Sequence, residues 1–308
     1  MKLKYIGLLF VGLFFLQLLP AAAQQKLKAL IVTGQDGNHW WKGSTDAIQK
    51  ILENSDRFKV EVAVTPPLGQ DISSFRPTFK SFDLVVVNYG GTTWPKDTQR
   101  DMEQYMEAGG ALVVIHSAIV PMADWPEYNK MTALGAWDGR DERVGPYVYY
   151  KHDRLVYDYS PGSAGHHGLQ HPFTVCHKKI EHPILKGLPP LWSHFKDELY
   201  TRLRGPAQHM EVLATTIDDT DARNDGREDP LMWTVNYGKG RVFVTVMGHV
   251  GNDPELRYAM ECTGFQVTLL RGCEWAATGQ VTQPVPKDFP SDGIQTFRKE
   301  FKAPFNAK

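Results

Sequence analysis

Cysteine is scarce in this chain. Only three are present, Cys176, Cys262 and Cys273, and no two have a CxxC spacing. This excludes a disulfide scaffold and leaves no thiolate motif for metal binding or redox chemistry. Two states remain open: one disulfide between Cys262 and Cys273, the nearer pair, or three buried thiols that act as small apolar side chains.

Clustered positive charge is also absent. The 308 residues carry 34 Lys and Arg against 35 Asp and Glu, a net charge of −1. A nucleic-acid-binding protein normally shows a basic stripe, so we expect no nucleic-acid partner. Internal repeats and long low-complexity linkers are missing too. With 42% hydrophobic residues, the composition is that of an ordinary globular protein, and one domain is the simplest organisation.

The N-terminus has the pattern of a secretory signal peptide. Lys2 and Lys4 precede an apolar run, Ile6–Leu19, and Ala21–Ala23 supplies small residues for cleavage. The run is shorter than the ~20 residues of a spanning helix, although a retained anchor is the alternative. We expect residues 1–23 to be removed and the protein to be periplasmic or secreted. Nothing later is apolar enough to span a membrane.

Short apolar runs in the first half predict buried strands. They cover residues 27–34, 82–90 and 111–115, and the alternating pattern of residues 58–65 predicts a further strand. Helices are predicted after Ser44, where Ala47, Ile48, Ile51 and Leu52 fall on one face, and from Pro95 to Met106. Continuous apolar strands alternating with helices predict an α/β fold with a mainly parallel sheet that is covered on both faces.

The second half is less regular. We expect a loop-rich insertion over residues 124–159, strands at 171–177 and 210–217, and a hairpin whose strands, Met232–Asn236 and Arg241–Met247, flank a Gly-Lys-Gly turn. A helix is predicted over residues 253–277, at the end of a domain that spans residues 24–278. The Pro-rich extension, 279–308, is predicted to run as an extended strap.

Two histidines end two of the apolar strands. His116 directly follows residues 111–115, and His249 follows the second hairpin strand after Gly248. A single histidine in this place is more often structural. In an open α/β sheet, however, ligands bind beyond the carboxyl ends of strands, so two such residues facing one crevice predict a functional site. The segments Gln35–Trp41, Asn88–Trp94 and His116–Trp125 are expected to converge there.

Other polar residues leave alternatives open. Ten of the eleven histidines lie between His116 and His249, but "HHGLQH" does not match the HExxH spacing of a metal site. A divalent metal is therefore one alternative and structural hydrogen bonding the other. Asp197 could cap a helix N-terminus, which would leave Glu198 free to enter the site. Tryptophans in the strand-end loops favour a carbohydrate ligand, because an indole face suits the apolar face of a sugar.

The chain resembles the ThuA-like (trehalose utilisation) family from Leu27 to about Asp288. The resemblance is carried by "GGALVVIHSA", "HPFTV", "EHPILKGLP", "DELYTRLRGPA", "YGKGRVFVTVMGH" and "RGCEWAATGQVTQPVPKDFP". It implies a flavodoxin-like three-layer sandwich of the class I glutamine amidotransferase type. In that fold, His116 takes the position of the catalytic cysteine, so glutaminase chemistry lacks its nucleophile. Ser117 is a weak substitute, since "IHSAI" lacks the glycines of a nucleophile elbow.

The resemblance also implies a role in disaccharide catabolism, beside dehydrogenases that make 3-keto sugars. We hypothesise acid–base chemistry with His116 as base, His249 as its partner and Glu198 as orienting group or acid. A divalent metal, if used, would polarise the ketone through the same histidines. The predicted substrate contacts are His39, Trp41, Tyr89, Ser117, Trp125 and His171. The other readings are a non-catalytic carbohydrate-binding protein and a serine hydrolase that uses Ser117. No oligomeric state follows from the sequence.

Overall fold

A computed structural model describes residues 25–221, 225–251 and 258–301 of the chain. The predicted signal peptide lies outside these residues. Within them, no helix is both long enough and apolar enough to cross a membrane.

The first half forms parallel strands joined by helices, as predicted. Its elements are β1 (Leu27–Gly34), α1 (Trp41–Glu53), β2 (Phe58–Val64), β3 (Leu84–Tyr89), α2 (Lys96–Glu107) and β4 (Ala111–Ile115). Every residue of β3 and β4 is buried, which explains their unbroken apolar sequence. The apolar face of α1 is buried through Ala47, Ile48, Ile51 and Leu52.

The second half adds strands that mostly run antiparallel to their neighbours. It contains α3 (Pro126–Thr132), β5 (Tyr147–Lys151), β6 (Arg154–Asp158), β7 (His171–His177), β8 (Leu191–Asp197), β9 (Met210–Thr216), β10 (Asp229–Tyr237), β11 (Gly240–Thr245), α4 (Tyr258–Glu261) and α5 (Thr263–Thr278). The predicted hairpin is confirmed as β10 and β11. Helix α5 packs on β4 and β11.

The expectation of a mainly parallel sheet is confirmed for only half of the sheet. The nine-stranded sheet has the order β2-β1-β3-β4-β11-β10-β9-β7-β8. Strands β2, β1, β3, β4 and β11 are parallel to one another. From β11 onward every pairing is antiparallel, because tight reversals such as the β10–β11 turn replace helical crossovers. The result is an α/β fold with a large mixed sheet.

Three local expectations also need correction. Residues 124–159 contain α3 and a two-stranded sheet, β5–β6, instead of a loop-rich insertion. Asp197 ends strand β8 and caps no helix. The closing helix is interrupted at Cys262, whose backbone is extended with φ −61° and ψ 125°. The open question about the cysteines is answered as well, since all three are free thiols.

The C-terminal extension packs against the body as far as Phe301. The amide of Ser193 on β8 donates to the carbonyl of Ser291, and the amide of Thr263 donates to the carbonyl of Thr296. The ring of Phe289 lies edge-on to Trp192, with centroids 5.5 Å apart. This segment therefore pairs with the edge strand β8 and covers the start of α5.

Candidate functional site

Four side chains from the ends of four strands meet at one point. His39 follows β1, His116 follows β4, Glu198 follows β8 and His249 follows β11. Their ligand atoms all lie within 4.8 Å of one another. Glu198 Oε2 is 3.6 Å from His39 Nε2, 3.6 Å from His116 Nε2 and 3.2 Å from His249 Nδ1. We call these four residues the His–Glu cluster.

His116 lies at the bottom of the cluster. The chain turns sharply after β4, and His116 has a left-handed backbone with φ 47°, which is uncommon for a residue with a side chain. Its ring is buried, donates from Nδ1 to the Val246 carbonyl at 2.6 Å, and stacks on Tyr200 at 4.4 Å. Burial lowers the pKa of His116, which favours the neutral ring.

His39 is held by the carboxylate of Asp36. Its Nδ1 lies 3.0 and 3.1 Å from the two oxygens of Asp36, and Asp36 also accepts from Ser117 Oγ at 2.7 Å. Burial alone would lower the pKa of His39, but Asp36 and Glu198 outweigh it and raise this pKa to about 9. In the absence of another cation, His39 is therefore an imidazolium.

Asp197 positions the other two members of the cluster. Its Oδ1 accepts from the amides of Glu198 at 2.8 Å and His249 at 3.0 Å. Its Oδ2 accepts from the Gly248 amide at 2.8 Å and from His194 Nε2 at 2.9 Å. Both Asp197 and His194 are fully buried. This carboxylate therefore joins the end of the edge strand β8 to the segment that follows β11.

The two carboxylate oxygens of Glu198 face different parts of the site. Oε2 faces the three histidines, whereas Oε1 is 3.5 Å from His167 Nδ1. Burial opposes ionisation of Glu198, but the surrounding imidazoles outweigh it and hold its pKa well below the usual range. Glu198 is therefore a carboxylate at neutral pH.

The cluster opens into a pocket of about 420 Å³. Its walls are polar and aromatic: Asp36, Asn38, His39, Gly90, Ser117, Val120, Trp137, His167, Glu198, Tyr200 and His249. Trp137 packs edge-on against Tyr200, with ring centroids 4.8 Å apart. Burial, then the carboxylates of Glu198 and Asp36, raises the pKa of Tyr200 well above its usual value, so its hydroxyl stays protonated.

A larger depression of about 750 Å³ lies elsewhere, beside Gly109 and Gly110 at the amino end of β4. Solvated charged side chains line it, among them Arg76, Lys80 and Asp101. Its lining residues include no histidine or cysteine. It lies at the amino ends of β3 and β4, whereas the His–Glu cluster lies at the carboxyl ends of the strands. The smaller pocket is therefore the candidate functional site.

The structure brings together five of the nine predicted site residues. His39, His116, Glu198 and His249 form the cluster, and Ser117 lies in the pocket wall. The other four do not line this pocket: Trp41, Tyr89, Trp125 and His171. Tyr89 and Trp125 are core residues whose polar atoms donate to the Thr92 carbonyl and to Glu103. His171 faces Asp218 and Asp219 instead.

Several site residues were not anticipated individually. Asp36 lies in the strand-end segment Gln35–Trp41, so its position was a usable signal. Trp137, His167 and Tyr200 come from segments with no regular pattern, and they reach the pocket only through tertiary packing. The pattern around Asp197 is compatible with a helix cap, and no local signal indicates that Asp197 binds the segment after β11.

Comparisons with known proteins agree on the family. The family profile ThuA, described as trehalose utilisation, matches residues 28–276. A putative ThuA-like protein from Parabacteroides merdae is 46% identical, with a TM-score of 0.87 over 91% of this chain and 100% of that chain. Another, from Bacteroides uniformis, is 21% identical with a TM-score of 0.53, over 86% of this chain and 97% of that one, a likeness of fold alone. No curated protein matches. The chain belongs to the ThuA (trehalose utilisation) family.

Proposed function

We propose that this protein is an exported enzyme of carbohydrate catabolism that acts at the carbon next to the carbonyl group of a keto sugar, such as a 3-keto glycoside. One observation carries the proposal: three imidazoles and a carboxylate converge at the floor of a pocket with aromatic walls. The pocket volume falls in the roughly 300–1,000 Å³ range of small-molecule sites. Family membership supports a sugar as the ligand.

The pocket walls suit a sugar ring. Trp137 and Tyr200 offer aromatic surface to its apolar face. Asp36, Asn38 and His167 offer polar atoms to its hydroxyls. The sugar would then place one ring oxygen or carbonyl oxygen against the His–Glu cluster.

The geometry suggests a division of roles that differs in part from the one inferred from sequence. The cluster would polarise the carbonyl oxygen, which acidifies the hydrogen on the adjacent carbon. His167, next to Glu198 Oε1 on the pocket side, would take up that proton, and Glu198 would orient it. His249 and His39 line the pocket and would contact substrate, whereas His116 lies beneath the floor and would support the other members.

The finer structural assignments belong to the same proposal. We place the chain on the class I glutamine amidotransferase plan, with His116 at the position of the nucleophile. Ser117 would not replace that nucleophile, because its hydroxyl donates to the Asp36 carboxylate at 2.7 Å and no imidazole accepts from it. Signal cleavage after Ala23 would deliver the enzyme to the periplasm or the medium.

The test is turnover by the purified mature protein. 3-Keto disaccharides and ordinary disaccharides are incubated with it, and cleavage or isomerisation is followed by chromatography. We expect turnover of the keto sugars and a loss of about 10²-fold or more in Glu198→Gln, as for removal of one group that stabilises the developing charge. Glu61→Gln, at an exposed position of β2, should remain active. Sugar binding by calorimetry without turnover of any substrate would instead establish the non-catalytic binding function.

A further inference from the structure

We propose that the His–Glu cluster is a binding site for one divalent first-row transition-metal ion, such as Zn²⁺ or Co²⁺. His39 Nε2, His116 Nε2, His249 Nδ1 and Glu198 Oε2 would be its ligands. This inference rests on the proposed function in one respect: the ion would polarise the substrate carbonyl, which is the role that the proposed function assigns to the cluster.

The partners of two histidines determine which nitrogen carries a hydrogen. His39 Nδ1 contacts the Asp36 carboxylate, and His116 Nδ1 contacts the Val246 carbonyl. Both partners can only accept, so each Nδ1 must donate. When the rings are neutral, each Nε2 presents a lone pair toward Glu198 Oε2, which is also an acceptor; His39 Nε2 also lies 3.3 Å from the Tyr200 hydroxyl. Acceptor atoms that face one another are bridged either by a proton or by a metal ion between them.

His249 completes the set. Its Nδ1 is 3.2 Å from Glu198 Oε2 and 3.3 Å from His116 Nε2, while its Nε2 is 2.9 Å from the Gln170 side-chain nitrogen. The amide of Gln170 can turn over and offer its oxygen to a protonated Nε2, which frees the Nδ1 lone pair for an ion. A single proton can satisfy one contact in the cluster, whereas a divalent ion satisfies all four atoms at once.

The distances suit a transition metal. Ligands about 2.1 Å from an ion in tetrahedral arrangement stand about 3.4 Å apart. Four of the six separations among these atoms are 3.6, 3.6, 3.2 and 3.3 Å, and all six are within 4.8 Å. Three imidazoles and one carboxylate form a donor set that favours zinc, cobalt, nickel, iron or manganese over calcium and magnesium.

The surroundings have the organisation of a metal site. The imidazole of His39 is backed by a carboxylate and that of His116 by a backbone carbonyl, the partners that orient metal-bound histidines. Asp197 fixes the backbone of Glu198 and His249. His39, Glu198 and His249 also line the pocket, so an ion among them would be open to a substrate oxygen on that side.

The experiment measures metal directly and needs no substrate. The purified mature protein is stripped with EDTA, titrated with Zn²⁺ and with Co²⁺ by calorimetry, and analysed for bound metal after desalting. We expect one equivalent per chain, and visible absorption from bound Co²⁺. His249→Ala and Glu198→Gln should each lose the retained metal. Asp36→Asn should weaken binding about 10- to 100-fold, the usual effect of losing an orienting partner. His209→Asn, an exposed histidine outside the cluster, is the matched control.

The outcomes separate this inference from the proposed function. Failure of the wild type to retain either ion, with its fold verified by circular dichroism, overturns the metal site even when sugars are turned over. Equal retention by wild type and by folded His249→Ala and Glu198→Gln also overturns it, because the ion would then lie elsewhere. Stoichiometric metal without turnover of any sugar supports the site and counts against the proposed reaction.

Discussion

Asp197→Asn tests a fully buried carboxylate that accepts from four N–H groups. One oxygen accepts from Glu198 and His249, and the other accepts from Gly248 and His194. Asparagine has the same shape but keeps only one accepting oxygen. If that oxygen stays with Glu198 and His249, the new amide nitrogen faces the Gly248 N–H and the His194 ring.

The magnitude follows from the bonds that are lost. Hydrogen bonds to a charged group contribute about 1.5–3 kcal/mol each, and a buried donor left without an acceptor costs a similar amount. Two such bonds are lost, and His194 can recover part of the loss by presenting an unprotonated Nε2 to the new amide. We therefore expect Asp197→Asn to lower the free energy of unfolding by about 3–5 kcal/mol, as for other broken buried charge pairs.

Urea unfolding followed by circular dichroism measures this loss. The matched control is Asp141→Asn, because Asp141 accepts from the backbone and side chain of Arg143 at an exposed position. Removal of an exposed ion pair should cost less than about 1 kcal/mol. A loss below about 1 kcal/mol in Asp197→Asn, equal to that in the control, would refute the view that this carboxylate holds β8 to the segment after β11.

Two further predictions concern stability and reactivity. Burial lowers the pKa of His177 from 6.5 to about 4, so the unfolded chain binds the proton more tightly and stability should fall as pH drops from about 6.5 to 4, by at most about 3 kcal/mol. His177→Gln, which can still accept from Trp192 Nε1, should remove this part of the pH dependence in urea titrations at several pH values. Ser117 donates its hydroxyl hydrogen to Asp36, so a fluorophosphonate probe should leave the protein unlabelled; labelling that disappears in Ser117→Ala would establish a serine nucleophile.

The sequence was most informative where local residues alone, an apolar run or a glycine-rich turn, determine the structure. Strands β1 and β4 and the β10–β11 hairpin follow from unbroken apolar runs and a glycine-rich turn, which depend on local residues alone. Strand β8 was not predicted, because Ser193, His194 and Lys196 interrupt its apolar pattern. Its partners are β7 on one side and the C-terminal extension on the other, and contacts so distant in sequence leave no local signal.

The candidate site also contains residues that a local pattern predicts and residues that only tertiary contacts bring together. His39, His116 and His249 follow parallel strands, so the rule that ligands bind at strand ends was enough to group them. Glu198 was predicted from the acid–base chemistry of a carboxylate, whereas β8, the strand that precedes it, lies at the far edge of the sheet. Trp125 and Tyr89 were expected to contact substrate for their residue type, yet both are core residues. Residue type alone therefore did not distinguish an aromatic wall of the pocket from an aromatic core.

His116 shows why a strained position can persist without a nucleophile. A left-handed backbone costs a non-glycine residue about 1–2 kcal/mol, and here that cost is offset by the Nδ1 hydrogen bond to Val246 and by stacking on Tyr200. Those two contacts direct Nε2 toward Glu198 and away from the pocket. In a nucleophile elbow, the same turn would present a reactive atom to substrate. In this chain it directs Nε2 of His116 toward Glu198, so in the metal site that we propose the turn after β4 would hold a cation in place of attacking a carbonyl.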